Sequence, residues 1–255
     1  MGKGLENVRR IYMEGIAGGN PREAVETYTG HRYTQHSTGV ADGVEGFLDF
    51  FLPFVERNPH REIEIVRIFE DGPWVFCSAY QSLNHGAAEW VTTDLFFTDS
   101  DGLILEHWDT IGPYIKDTTS GENMVRGTSE VDPAADTEAN KSVVREYTKQ
   151  VLQGRNFDKL DTFVSEDLIE RGAQIGPGRA GLAAWIASSA AGVYEMLFQL
   201  IGQGDFVMTY GKRHRDDKDV AVFDIYRLSD GKIVEHWMND EEISPRETWA
   251  NSGKF

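Results

Sequence analysis

Three side chains able to move protons, Asp94, His107 and Asp109, flank one short turn, Thr98-Asp99-Ser100-Asp101-Gly102. The runs on either side, AEWVTTDLFF and LILEHWDTI, are rich in apolar and β-branched residues, and Gly102 tolerates the positive φ of a tight connection, so the segment reads as a β-hairpin. With residues 99–102 as the loop, Thr98 pairs with Leu103 and Asp94 lies opposite His107. Alternation at period two turns Asp109 to the same face and sends Glu106, Trp108 and Thr110 to the other. A carboxylate between apolar walls has its proton affinity raised, which a general base near neutral pH requires. Asp109 is therefore expected to titrate above an ordinary aspartate, and Asp109→Asn to remove the base at little loss of stability.

The same spelling returns 129 residues after His107, where KIVEHWMNDEEISP follows a Ser-Asp-Gly turn at 229–231. Pairing Leu228 with Lys232 sets Asp224 opposite His236. Met238 stands where the first copy has Asp109, and Asp240 could take its place only through a two-residue slip, because one residue reverses the face.

The elements that must position these groups repeat as well. VRRIYMEGI (8–16) matches VVREYTKQV (143–151) at a shift of 135, so Val8, Tyr12 and Ile16, four apart on one helical face, correspond to Val143, Tyr147 and Val151. That shift also carries Tyr28 to Phe163, Gly43 to Gly178, Gly46 to Gly181 and Phe50 to Trp185. Each copy reads as helix, helix, Gly-containing loop, short helix and strands, an α+β unit with segregated helices. Residues 117–137 are polar, contain Gly and Pro, and have no apolar period, as a linker would. The expected organisation is a first domain at 1–116, a linker at 117–137 and a second domain at 138–255.

Composition narrows the function classes. Against 25 basic residues stand 42 acidic ones, a formal charge of −17 that repels phosphate backbones and anionic membranes, so neither nucleic acid nor a membrane surface is an expected partner. No apolar run approaches a membrane span, and the N-terminus lacks the apolar core of a signal peptide, so a cytoplasmic location is expected. The one cysteine, Cys77, rules out an internal disulfide and reads as a small buried hydrophobe. Scattered histidines indicate no metal site, and no phosphate-binding Gly-rich loop or Gly-x-Ser-x-Gly elbow occurs.

The order of Gln35-His36, the Gly43-x-x-Gly46 helix start and the Glu106-His107-Trp108-Asp109 strand closely resembles the SnoaL-like polyketide cyclases of the nuclear transport factor 2-like fold, in a branch described as predicted aldol-condensation enzymes. The resemblance covers both repeats. It implies two tandem domains, each a curved antiparallel sheet with three helices closing a cone-shaped pocket, paired as an intramolecular pseudo-dimer with a homodimer also open. It implies no cofactor and no metal. The matching acid/base is Asp109, with Asp94 one strand across and His36 as a third polar group of the cavity; His107 supports them. Tyr33, Trp90 and Phe96 are candidate walls for a small hydrophobic molecule. In the second copy Arg171 replaces His36 and Met238 replaces Asp109, while Asp224 and His236 remain, so the first domain is expected to carry an intact site and the second a degenerate one. The expected activity is aldol-type cyclisation or isomerisation of a small carbonyl or polyketide-like substrate; a non-catalytic binding module and a hydrolase or hydratase are the alternatives.

Overall fold

The computed structural model describes residues 2–255 and divides the chain into two units, Met1–Pro113 together with Ile243–Phe255, and Tyr114–Glu242. Two segments therefore sit differently from the sequence boundaries. Residues 117–137 belong to the second unit: Met124 and Val125 are buried there, and Thr119 N–H donates to the Ala173 carbonyl at 3.0 Å. Residues 243–255 belong to the first, where Ala250 N–H donates to the Thr38 carbonyl at 2.9 Å.

The first unit runs α1 (Lys3–Arg10), which continues as a π-helical turn over Ile11–Ala17, then α2 (Pro21–Tyr28), β1 (Thr29–Gln35), α3 (Gly43–Arg57), β2 (Arg61–Asp71), β3 (Trp74–Leu83), β4 (Ala88–Thr98) and β5 (Ile104–Pro113). The second repeats this order: α4 (Thr137–Tyr147) with a π-helical turn over Thr148–Gln153, α5 (Leu160–Phe163), β6 (Val164–Glu170), α6 (Gly178–Ala187), β7 (Val193–Gln203), β8 (Phe206–Arg215), β9 (Lys218–Ser229) and β10 (Lys232–Glu242). The sheets share one topology, β1-β5-β4-β3-β2 and β6-β10-β9-β8-β7. Each is mixed rather than purely antiparallel, because the short strands β1 and β6 lie parallel to β5 and β10. Among the described residues no helix is long and apolar enough to cross a membrane.

The helix stripe read from the sequence is the core face: Val8, Tyr12 and Ile16 are buried, packed with Val25, Phe47, Val75 and Cys77. Its counterpart is Val144, Tyr147 and Val151, one position off at its first member, since Val143 is only partly buried.

The hairpin register departs from expectation. Asp94 pairs with Asp109, and His107 pairs with Phe96, because Leu105 is an extra residue bulging between the pairs Thr98–Ile104 and Phe97–Glu106. In the second unit Val234 bulges likewise, so Asp224 faces Met238 and His236 faces Tyr226. The loop, one residue longer than expected in the first unit and one shorter in the second, acts with the bulge to move each register by two, which keeps every side chain on its expected face.

Each Gly-x-x-Gly start has two separate needs. Gly43 and Gly178 hold φ of +82° and +68°, the left-handed region that favours glycine. Gly46 and Gly181 instead lie against the preceding loop, where a methyl group would collide with the backbone of Ala41 and of Gly176. Gly46→Ala is expected to destabilise the first unit by about 1–3 kcal/mol through overpacking against backbone that cannot swing aside. Urea unfolding is the measurement; an unchanged midpoint contradicts this packing.

Candidate functional site

The first unit encloses a cavity of about 340 Å³ between the π-helical turn after α1, α3 and strands β3 to β5. Its walls are mostly apolar, and Asp94, His107 and Asp109 are among its lining residues. Tyr33, Trp90 and Phe96, the candidate walls, line it too. Asp94 and Asp109 are 3 % and 5 % exposed, so both carboxylates are nearly out of water.

Asp94 is held at both oxygens. Tyr12, at the start of the π-helical turn, donates its hydroxyl to Oδ2 at 2.6 Å, and His107 Nε2 lies 2.8 Å from Oδ1. His107 Nδ1 lies 2.9 Å from Gln35 Oε1, while Gln35 Nε2 donates to the Tyr33 hydroxyl at 2.9 Å. A carbonyl oxygen can only accept, so in this network Nδ1 carries a hydrogen. The Nε2–Oδ1 contact then holds one proton, which resides on either His107 or Asp94.

Asp109 is held differently. Lys254, itself 1 % exposed, donates through Nζ to Asp109 Oδ1 at 2.9 Å and to the Asp109 carbonyl at 2.8 Å. The two aspartates are thereby pushed apart. Burial is the largest influence on Asp94 and raises its proton affinity, with the Asp109 charge adding to it and His107 and Tyr12 offsetting only part. Burial acts the same way on Asp109, but Lys254 and His107 outweigh it and hold this carboxyl below the ordinary aspartate value. The expectation of a raised Asp109 is thus overturned by a lysine 145 residues away in sequence.

His36 does not belong to the cavity. It stacks flat on Trp108, ring centroids 4.3 Å apart, on the opposite face of β5. There Nε2 meets Glu106 at 3.2 Å and Nδ1 the Gly253 carbonyl at 2.8 Å. The neighbouring Gln35 faces the site instead, because successive strand residues point to opposite faces. Tyr12, Gln35 and Lys254 were missed by sequence reasoning. Tyr12 looks like core, Gln35 carries no charge, and nothing in spacing brings Lys254 to β5. The coordinating atoms of Asp94, His107 and Asp109 lie within 4.8 Å of one another, close enough for a divalent cation. The Lys254 ammonium on Asp109 and the donors on Asp94 already engage those oxygens, so the donor set fits a cation poorly.

The second unit replaces this proton-holding arrangement with fixed charges. Asp224 accepts both Arg213 Nη2 contacts, at 3.1 and 3.2 Å, and His236 Nε2 lies 3.1 Å away. The Arg213 guanidinium lies over the Trp185 ring at 4.7 Å and the Tyr194 ring at 5.4 Å, and its Nη1 is 3.4 Å from Met238 Sδ. Glu170, in the place of Gln35, is 2.8 Å from His236 Nδ1. Burial opposes the charge on His236, yet Glu170 and Asp224 raise its pKa to about 9. Asp224 is also buried, but Arg213 and His236 hold it below the usual range. Arg171 stays on the His36 side of the sheet, 2.8 Å from Glu235. No slip brings Asp240 inward: it pairs with Val222 in register and bonds Arg215 at 3.1 Å.

Residues 144–236, within the second unit, match the family model described as SnoaL-like domain. This match supports a SnoaL-like, nuclear transport factor 2-like fold. Structural likenesses include a candidate ketosteroid isomerase from Kribbella flavida, at 17% identity over 44% of this chain and 84% of that one, TM-score 0.39. A candidate SnoaL-like polyketide cyclase from Jannaschia sp. aligns at 20% identity over 43% and 85%, TM-score 0.37. IdmH, a candidate polyketide cyclase from Streptomyces antibioticus, aligns at 16% over 40% and 91%, TM-score 0.34. No curated protein matches the chain in sequence.

Lys254→Met leaves Asp109 buried without its cation and is expected to cost about 3–5 kcal/mol at neutral pH, whereas Lys254→Met with Asp109→Leu recovers most of it. Because the folded Asp109 value lies below the ordinary 3.8, the contribution of the pair is complete above 3.8 and is lost as pH falls through the folded value. The gap between wild type and Lys254→Met therefore narrows in acid. Chemical denaturation across pH checks this; a lone Lys254→Met as stable as wild type at neutral pH contradicts it.

Proposed function

We propose that the first unit is a cofactor-independent enzyme that moves protons on an apolar carbonyl compound, in an aldol-type cyclisation or an isomerisation. The observation that carries this reading is the pair of buried carboxylates at one apolar cavity, with opposite displacements of their proton affinities. Two such groups whose surroundings push them apart can divide acid and base roles between them.

Asp109, kept anionic beside Lys254, accepts a proton from the carbon next to the substrate carbonyl. The proton shared by Asp94 and His107 is donated to the carbonyl oxygen as negative charge builds there, with Tyr12 and Gln35 holding the donor pair in place. Attack of the resulting enol carbon on a second carbonyl closes a ring, as Asp109 gives its proton to the new alkoxide and the enol oxygen returns its own to the Asp94–His107 pair. In a β,γ-unsaturated ketone, return of the proton from Asp109 to the γ-carbon, with the enol oxygen returning its own to that pair, moves the double bond instead. The apolar walls exclude water and hold the chain folded, which supplies proximity. The second unit keeps the scaffold and, with Met238 for Asp109 and Arg213 paired to Asp224, is a degenerate site.

Exchange of α-protons in D₂O, followed by NMR on a panel of cyclic 1,3-diketones and aryl ketones, tests this reading. Wild type is expected to accelerate exchange, and Asp109→Asn to lose about a hundredfold or more of that acceleration. Asp109→Asn alone strands the buried Lys254, contrary to the expectation that it spares stability, so Asp109→Asn with Lys254→Met serves as the folded control and should remain inactive. Full activity in either variant contradicts the role of Asp109. Binding of panel members by wild type without any exchange would make the unit a binding module.

A further inference from the structure

The cavity has a second polar end. Phe47, Phe50, Phe51 and Phe54 line it from α3 at spacings of three and four, and the same stripe continues to Arg57 and Asn58, which line it as well. Phe47 marks the inner end: its ring meets Tyr33 edge-on at 6.0 Å, and Tyr33 is bonded to the Gln35 that holds His107. Ten residues along a helix rise about 15 Å, so Arg57 lies roughly that far along the stripe from Phe47. Phe50 and Trp90, 37 % and 38 % exposed, show where the cavity opens.

Arg57 is unlike its neighbours. Arg10 and Arg22 pair with glutamates, and Arg61 is bonded to backbone carbonyls, whereas among the described residues the Arg57 guanidinium has no acceptor. Asn58 is already committed, to the Phe54 carbonyl and to Asn84. In a chain of net charge −17 an unpaired cation lining an apolar cavity is a complementary partner without its anion. The fork of a guanidinium suits a carboxylate, and the acidic chain as a whole favours a ligand with a single negative charge.

We infer that the cavity takes an elongated amphipathic acid: a carbonyl at the Asp94–Asp109 end, an aromatic or alicyclic body along the phenylalanine stripe, and a carboxylate bound by Arg57 at the mouth. This rests on the cavity being the substrate site, but its test reads binding rather than turnover, so the two can fail separately.

Calorimetry with 4-(4′-acetylbiphenyl-4-yl)butanoate and with its methyl ester supplies the comparison. The acid is expected to bind wild type about three- to fivefold more tightly than the ester, the range of a solvent-exposed charge pair. The preference should disappear in Arg57→Gln and shrink in high salt. Arg57 is exposed and unbonded, so this variant should fold as wild type does. Equal binding of acid and ester, a preference that survives Arg57→Gln, or no binding of either compound overturns the inference.

Discussion

An ammonium and a carboxylate, both nearly out of water, meet at Lys254 and Asp109. Removing either partner would leave the other charge buried and uncompensated, at a cost of several kcal/mol. The pair therefore ties the segment 243–255 to β5 and keeps Asp109 ionised beside a second carboxylate that burial drives the other way. The proposed division of acid and base roles depends on this contact. If burial prevailed at Asp109 as it does at Asp94, both carboxyls would be raised in proton affinity and the cavity would lack its anionic base.

The second unit shows how the same scaffold responds when that arrangement changes. Met238 removes one carboxylate, while Glu170 and Arg213 enter opposite His236 and Asp224. Two cations then face two anions, and no proton is left to be shared. The Arg213 guanidinium is buried and lies over the Trp185 and Tyr194 rings. The differences between the units are thus differences in how buried charge is balanced, within one strand order.

Much of this was legible in the sequence. The repeat, the helix face of Val8, Tyr12 and Ile16, the Gly-x-x-Gly starts and the hairpin at 98–102 all follow from local periodicity and turn chemistry. The polar strand TGHRYTQ escaped notice because a short parallel edge strand has no strong alternation. The bulge at Leu105 also escaped, since it answers to pairing across strands and not to a local signal; the face assignments survived only because the error was an even number of residues. His36 was placed in the cavity by the resemblance alone, and without β1 nothing in the spacing showed that it stacks on Trp108 instead. Lys254 was invisible for a simpler reason: a contact spanning 145 residues leaves no mark on spacing.

Carbon-detected NMR of the aspartate carboxyl groups, titrated in one sample and assigned through Asp94→Asn and Asp109→Asn, tests the central claim most directly. The account predicts that Asp109 titrates below an ordinary aspartate and Asp94 above it. Coincident midpoints, or Asp109 titrating above Asp94, would contradict it.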